Sequence, residues 1–441
     1  MQHTGVLPVL AFLAALPLAA RAEPPAENIP ASLPLALATQ IDLETALQWT
    51  LQSNPNLIAT RQNLSVSTEA VAVSQYFPTS LNPSVSVTYT PWVFEREANG
   101  EVQTLDRAVT VAWAQPIELG RRQAHREEMA QASYCQTRWN VLQAELAALI
   151  QTYRLHQTAL YRREKLAVAQ DLNTFSTRLV GTLRRQAEAN QATAADVVLA
   201  EVETQATVDQ VEAARQDYVS ALADLRQQIG IPSVAASAEP IGSFRVPEDR
   251  IRGSGDTLVQ LAQESRPDVQ AAAAAAANSR AALALARGDR IPIFSLGPAY
   301  ERNETGAVFY GLALSSPVPL LNTGRPLVGQ REAEYHRDCV AWEQARQEVA
   351  TQVLAVMVKW NQAQQAAERT HARFQPIRTQ TERMQRLYDA GQAELLKLLQ
   401  VQRRFIDARN AELDVVWQTT QAYADLLAAT GGTPLLSASP K

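Results

Sequence analysis

The chain has 441 residues, 46% of them hydrophobic, with 40 Lys and Arg against 45 Asp and Glu for a formal net charge of −5. That balance excludes a global basic field of the kind that recruits nucleic acid. Only 17 glycines occur in a text rich in Ala, Gln, Glu, Arg and Leu, a composition of long helices rather than of a mixed globular core.

The apolar run from Val6 to Ala20 is short for a bilayer span, and Pro8 and Pro17 make it a poor helix. Ala20 and Ala22 fit the small-x-small cleavage pattern, so residues 1–22 are expected to be a signal peptide and the mature chain to begin near Glu23. No cysteine stands there to take a lipid. Past this segment no run of about twenty apolar residues occurs, so no transmembrane helix is expected. An exported chain of this kind crosses a membrane only as strands of a closed barrel.

Internal repetition then sets the architecture. The helix–Pro–helix text around Pro55 is echoed around Pro267, and strand-like text near Val85 is echoed near Phe294. A second strand pair leads into Gly120-Arg121 and into Gly324-Arg325, with Cys135 and Cys339 then in register. The result is helix, helix, strand, strand, long helix, long helix, twice. We expect repeats over residues 23–230 and 257–441, joined by a Pro/Gly/Ser-rich connector over 231–256. Strands are expected at about 80–94, 107–119, 293–302 and 309–320. Long helices are expected at about 121–188, 193–229, 324–389 and 393–429, the third kinked at Pro376. In the first returning helix Val208, Val211, Ala214, Tyr218, Leu222, Leu225 and Ile229 step by three or four, the seam of a coiled-coil-like contact.

In the strands Val85, Val87 and Tyr89 alternate with Ser84, Ser86 and Thr88, and Val109, Val111 and Trp113 with small or polar residues. Tyr89, Trp92, Phe94, Trp113, Tyr300, Phe309 and Tyr310 cluster there, as the aromatic girdle of a membrane barrel does. Ordinary hairpins packed on the helices carry aromatics too. Four strands cannot close a membrane barrel, whose practical minimum is about eight, so lipid-spanning strands require several protomers.

The order and duplication of "IDLETALQWTLQSNPNL", "QPIELGRR", "EANQATAADVVLAEVETQ" and "YDAGQAELLKLLQVQRRF" resemble the TolC-type outer-membrane efflux protein family over the mature length. "QPIELGRR" is similar to its cobalt–zinc–cadmium resistance branch. The resemblance implies a homotrimer in the outer membrane of a Gram-negative-type cell, a mainly α protomer, and a trimeric α-helical barrel continued by a shared 12-stranded β-barrel. It implies a passive exit duct of a tripartite pump, partnered by a periplasmic adaptor, an inner-membrane pump and outer-membrane lipid, with no cofactor. A periplasmic coiled-coil adaptor that never enters the membrane is the alternative from another class.

No catalytic constellation is present, and neither H-E-x-x-H, G-x-S-x-G nor a phosphate-binding glycine loop occurs. His336, Asp338 and Cys339 do not share one helix face and are expected to be surface or packing residues. Cys135 and Cys339 are expected as free, packed thiols too far apart for a bridge. Asn190 and Gly391 occupy matching positions where the helices reverse, and both residue types tolerate φ > 0. The resemblance makes Asn190, Gln191, Ala192, Gly391, Gln392 and Ala393 the periplasmic tip and adaptor-docking turns. Asp196 fits either a capping box with Thr193 or a polar network that keeps the tube closed. Glu394, Lys397 and Gln400 stand where the family's constriction often carries aspartates, and are the other gate candidates.

Overall fold

A computed structural model describes residues 40–91, 93–96, 102–105, 107–189, 193–231, 239–247, 254–390 and 392–432. The expected signal peptide lies outside the described residues, as do Trp92, Asn190, Gln191, Ala192 and Gly391.

Each repeat opens with two helices hinged at a proline. Helix α1 (Leu43–Ser53) starts on Asp42, whose carboxylate accepts the Thr45 N–H at 3.0 Å. Asn54 ends α1 and caps α2 (Pro55–Ser74), accepting from Asn56 and Leu57 at 3.0 and 3.1 Å. Pro55 takes the first helical position, where its missing N–H has no intrahelical partner to lose. The second repeat builds the same hinge with α5 (Gly255–Ser265), Arg266 and Pro267, the first residue of α6 (Pro267–Gly288).

The long helices are α3 (Arg122–Glu188, 67 residues) and α7 (Arg325–Asp389, 65 residues), each about 100 Å at 1.5 Å per residue. Helix α7 continues through Pro376 without ending, because one lost N–H bond is small beside the about eighteen turns of the helix. The returning helices α4 (Ala194–Ile229) and α8 (Leu395–Thr430) have 36 residues each and end on left-handed glycines, Gly230 at φ 81° and Gly431 at φ 71°. On α4 the seam buries Val211, Leu222, Leu225 and Ile229, while Val208 stays exposed.

Four strands form one antiparallel sheet: β2 (Ser84–Thr90), β5 (Ala108–Ile117), β7 (Phe294–Arg302) and β8 (Val308–Ser315), in the order β2-β5-β7-β8. Across 79–96 the chain makes a 3₁₀ turn at Thr79–Leu81, then β2, then β3 (Val93–Arg96), which pairs with β4 (Val102–Leu105) as a separate ribbon. Strand β8 ends at Ser315, and residues 316–321 continue without strand pairing. At the waist β1 (Gln40–Ile41) and β6 (Glu239–Pro240) form a short parallel pair that clips the connector to α3.

The core is strung along the helices in clusters. Leu146, Ile150 and Tyr153 of α3 meet Trp360 of α7 and Tyr423, Leu426 and Leu427 of α8. Ile41 and Ala46 pack with Ala159 of α3 and with Ala221, Leu225 and Ile229 of α4. Near the helix reversals Leu179, Val180 and Leu183 of α3 and Ala200 of α4 pack with Tyr388, Leu395 and Leu399. The two helical hairpins are therefore joined at both the waist and the tip.

Candidate functional site

The sheet has two chemically distinct faces. Cross-strand partners share a face, and the registers run Val87–Val111–Tyr300–Tyr310 across all four strands. That face carries Val85, Val87, Tyr89, Val109, Trp113, Leu312 and Leu314. The opposite face carries Ser84, Ser86, Thr88, Thr110, Ala112, Gly297 and Ala299. Large apolar side chains stand uncovered on the first face, Leu312 at 79% and Val87 at 65% exposure. A soluble sheet would bury such a face against helices. At Gly297 a Cβ would lie 1.8 Å from the Trp113 carbonyl oxygen, so only glycine allows β5 and β7 to pass this closely.

Of the girdle candidates, Tyr89, Trp113, Tyr300 and Tyr310 lie on the apolar face, with Tyr300 and Tyr310 in ring contact at 5.5 Å. Phe309 pairs with Glu301 and so points to the opposite face. This corrects its grouping with Tyr310, since adjacent strand residues cannot share a face. Phe94 falls within β3. The outer edges of β2 and β8 have no strand partner among the described residues.

The "QPIELGRR" text is the joint between sheet and tube. Gln115 donates to the Leu81 carbonyl at 3.1 Å. Gly120 (φ 82°) and Arg121 (φ 58°) make a left-handed turn that redirects the chain from β5 into α3. Arg122 is buried, donates to the Gly288 carbonyl at 3.0 Å and pairs with Glu118 at 3.6 Å and Asp289 at 3.3 Å. Arg126 also grips Glu118, and this hydrogen-bonded guanidinium holds the Glu118 carboxyl below its usual range. In the second repeat Gly324 (φ 72°) makes the turn, and Asn322 accepts its N–H at 2.9 Å in place of a buried acid.

At the tip the two repeats part company. Thr193 Oγ1 accepts the Asp196 N–H and Asp196 Oδ2 accepts the Thr193 N–H, both at 3.2 Å, a complete capping box. The Thr193 hydroxyl donates to the same carboxylate at 2.6 Å, which lowers the Asp196 pKa. Glu394 is the N-cap of α8 but its side chain makes no cap bond. It pairs instead with Lys397 at 3.2 Å, both exposed, so the two charges cancel locally. Gln392 donates its N–H to the Leu387 carbonyl at 2.8 Å, and Ala393 is half-buried beside it. Gln400 lines a groove of about 670 Å³ between α4 and α8 with Leu199, Glu203, Leu396 and Arg403.

Polar contacts between different helices at the waist have no local sequence signal. Asp425 of α8 holds Arg154 of α3 and Lys359 of α7, each at 2.5 Å. Glu412 holds His371 at 2.8 Å and Arg409 at 2.5 Å. Tyr161 donates to Asp414 at 2.6 Å, and burial, then that bond, push its pKa up. Their partners lie up to 271 residues apart. Cys135 is exposed rather than packed and Cys339 is half-buried; both are free. Among the described residues no three potential ligands gather for a metal ion, and no helix is long and apolar enough to cross a membrane.

Residues 258–432 match the family model for outer membrane efflux proteins. No curated protein sequence matches the chain. Among solved structures, CusC superposes with a TM-score of 0.69 at 15% identity, covering 90% of this chain and 94% of that one. The Campylobacter jejuni CmeC outer membrane channel gives 0.70 at 13% identity, covering 88% and 85%. The Neisseria gonorrhoeae MtrE outer membrane channel, in its open state, gives 0.66 at 17% identity, covering 88% and 89%. At these identities the likeness is one of fold, and the family match falls on the second repeat. The second repeat thus matches the outer membrane efflux protein model, and the whole chain shares its fold with these outer membrane channels over nearly its full length.

Proposed function

We propose that the chain is a passive outer-membrane exit duct of a tripartite efflux system. Three copies contribute four strands each to a 12-stranded barrel, and their long helices continue it as a periplasmic tube. The observation that carries this reading is the uncovered apolar face of a sheet whose two outer edges have no strand partner among the described residues. In lipid every backbone polar group needs a partner, and closure of the sheet supplies it. A periplasmic adaptor would dock at the tip and link the duct to an inner-membrane pump. Heavy-metal cations are the proposed cargo, on the likeness of "QPIELGRR" to the metal-resistance branch.

The tip would act as the gate, with three copies of Lys397 and Glu394 around one axis. Such rings set ion preference through their summed charge. Fractionation and planar-bilayer recording test the reading together. The protein should require detergent for extraction and form discrete channels, and Lys397→Asp should raise cation preference. A product soluble without detergent would sink the duct, in favour of a periplasmic scaffold. Unchanged selectivity in the variant would remove Lys397 from the constriction.

A further inference from the structure

We propose that residues 316–320 extend β8 by pairing with β2 of a second copy, with Val318 opposite Val87 of the partner subunit and Leu320 opposite Val85 of the partner subunit. This rests on the shared-barrel reading and gives it a register.

The two strand hairpins are repeats of one design, and their prolines align them. Continuing the β2–β5 register by one residue sets Pro83 opposite Gln115. Continuing the β7–β8 register beyond Ser295–Ser315 sets Pro292 opposite Val318. In both hairpins the residue after that position is again a proline, Pro116 in one and Pro319 in the other. Pro83 thus corresponds to Pro292, Gln115 to Val318 and Ile117 to Leu320. The alternation agrees independently, because Val111 and its counterpart Leu314 both lie on the apolar face.

The hairpins differ in where their second strand stops. Strand β5 has a neighbour on each side and runs to Ile117, held there by Gln115–Leu296, Pro116–Ser295 and Ile117–Phe294. Strand β8 has β7 on one side only and stops at Ser315. Its missing stretch, Ser316–Leu320, corresponds to Trp113–Ile117. Val318 is 72% and Leu320 83% exposed, an apolar pair standing in solvent.

What covers this stretch follows from the contact between repeats inside the protomer. The β5–β7 contact joins the second strand of one repeat to the first strand of the next. Carried one repeat onward, it joins β8 to a β2, and the only β2 left is that of another copy. The counterparts of Leu296, Ser295 and Phe294 are Val87, Ser86 and Val85. Val85 and Val87 lie on the outer edge strand and are 66% and 65% exposed. The transferred register keeps both strands antiparallel and both apolar sets on one face, where a one-residue slip would reverse one set. Pro319 is no obstacle, since Pro116 holds a place in the β5–β7 ladder. Pro317, two residues away, lacks its N–H on the same side as Pro319. One edge of each kind makes a head-to-tail contact, which closes a ring when repeated.

Disulfide trapping tests the register in full-length protein with Cys135 and Cys339 replaced by Ser. Directly opposed Cβ atoms lie about 4.5–5.5 Å apart, whereas diagonal neighbours are about 7–8 Å apart and too far for a ready bridge. Val318→Cys with Val87→Cys should give covalent oligomers under oxidation, and Val318→Cys with Val85→Cys should lose them. Native mass in detergent is read on the same samples. Bridging by the second pair instead of the first would overturn the register. A trimer in which neither pair bridges would overturn this edge contact and leave the duct reading intact. A monomeric Cys-free parent would overturn both.

Discussion

The sheet end and the waist of this molecule solve opposite problems. At the waist every long helix buries apolar side chains against another, with Leu160 and Leu426 each 1% exposed, and charged groups are matched between helices. At the sheet end Val87, Leu312 and Tyr310 remain uncovered, while the other face carries small residues such as Ser86, Thr110 and Ala112 together with Glu301 and Phe309. The waist is built for water outside and protein inside. The sheet is built for an apolar surrounding on one side, which a lone protomer in water does not provide. The two regions differ in whether the chain itself supplies the cover.

The comparison breaks most visibly at Val87. Val87→Lys places a charge on the uncovered face, where a cation near the bilayer midplane costs about 2–4 kcal/mol. The variant should be lost from the outer-membrane fraction, while Ser86→Lys on the other face should leave the protein there. Equal loss from both would mean that the two faces do not see different solvents.

At the waist Leu426→Ala leaves a cavity among Tyr153, Trp360 and Tyr423, and should cost about 2–5 kcal/mol. The thermal midpoint in detergent measures it, and membrane insertion should survive. A midpoint unchanged by the truncation would contradict the packing described for this cluster.

The smallest effect is a pH dependence at His156, which is 1% exposed beneath the β1–β6 clip. Its Nε2 faces the Ile41 carbonyl at 3.4 Å while Nδ1 has no partner. Burial pushes its pKa down, opposed by that carbonyl and by Asp42, and assisted by Arg163. The unfolded chain therefore takes up this proton at higher pH than the folded one. Stability is full above the unfolded value, about 6.5, and falls as pH drops below it. His156→Gln should flatten the decline of the thermal midpoint between pH 7 and 5. An identical decline in the variant would assign the acid sensitivity to other groups.

Much of this was legible from residues alone. Pro55 and Pro267, the alternation of Val85, Val87 and Tyr89, and the glycines at 120 and 324 each act through local backbone rules, so pattern sufficed. Phe309 shows the limit of reading by composition: its clustering with Tyr310 suggested a shared girdle, and strand alternation sends it to the opposite face. Asp196 shows another limit, since two uses of one acid look alike in sequence. The tertiary structure shows the capping box.

The sequence by itself determined the duplicated order of helices and strands and the two-faced character of the strands, because periods of 3.6 and 2 are properties of the chain. Only the tertiary structure decided that β5 pairs with β7, that Asp425 ties three helices together, and that β8 stops short with Val318 and Leu320 exposed. Those facts depend on contacts between segments hundreds of residues apart, and no local pattern encodes a partner.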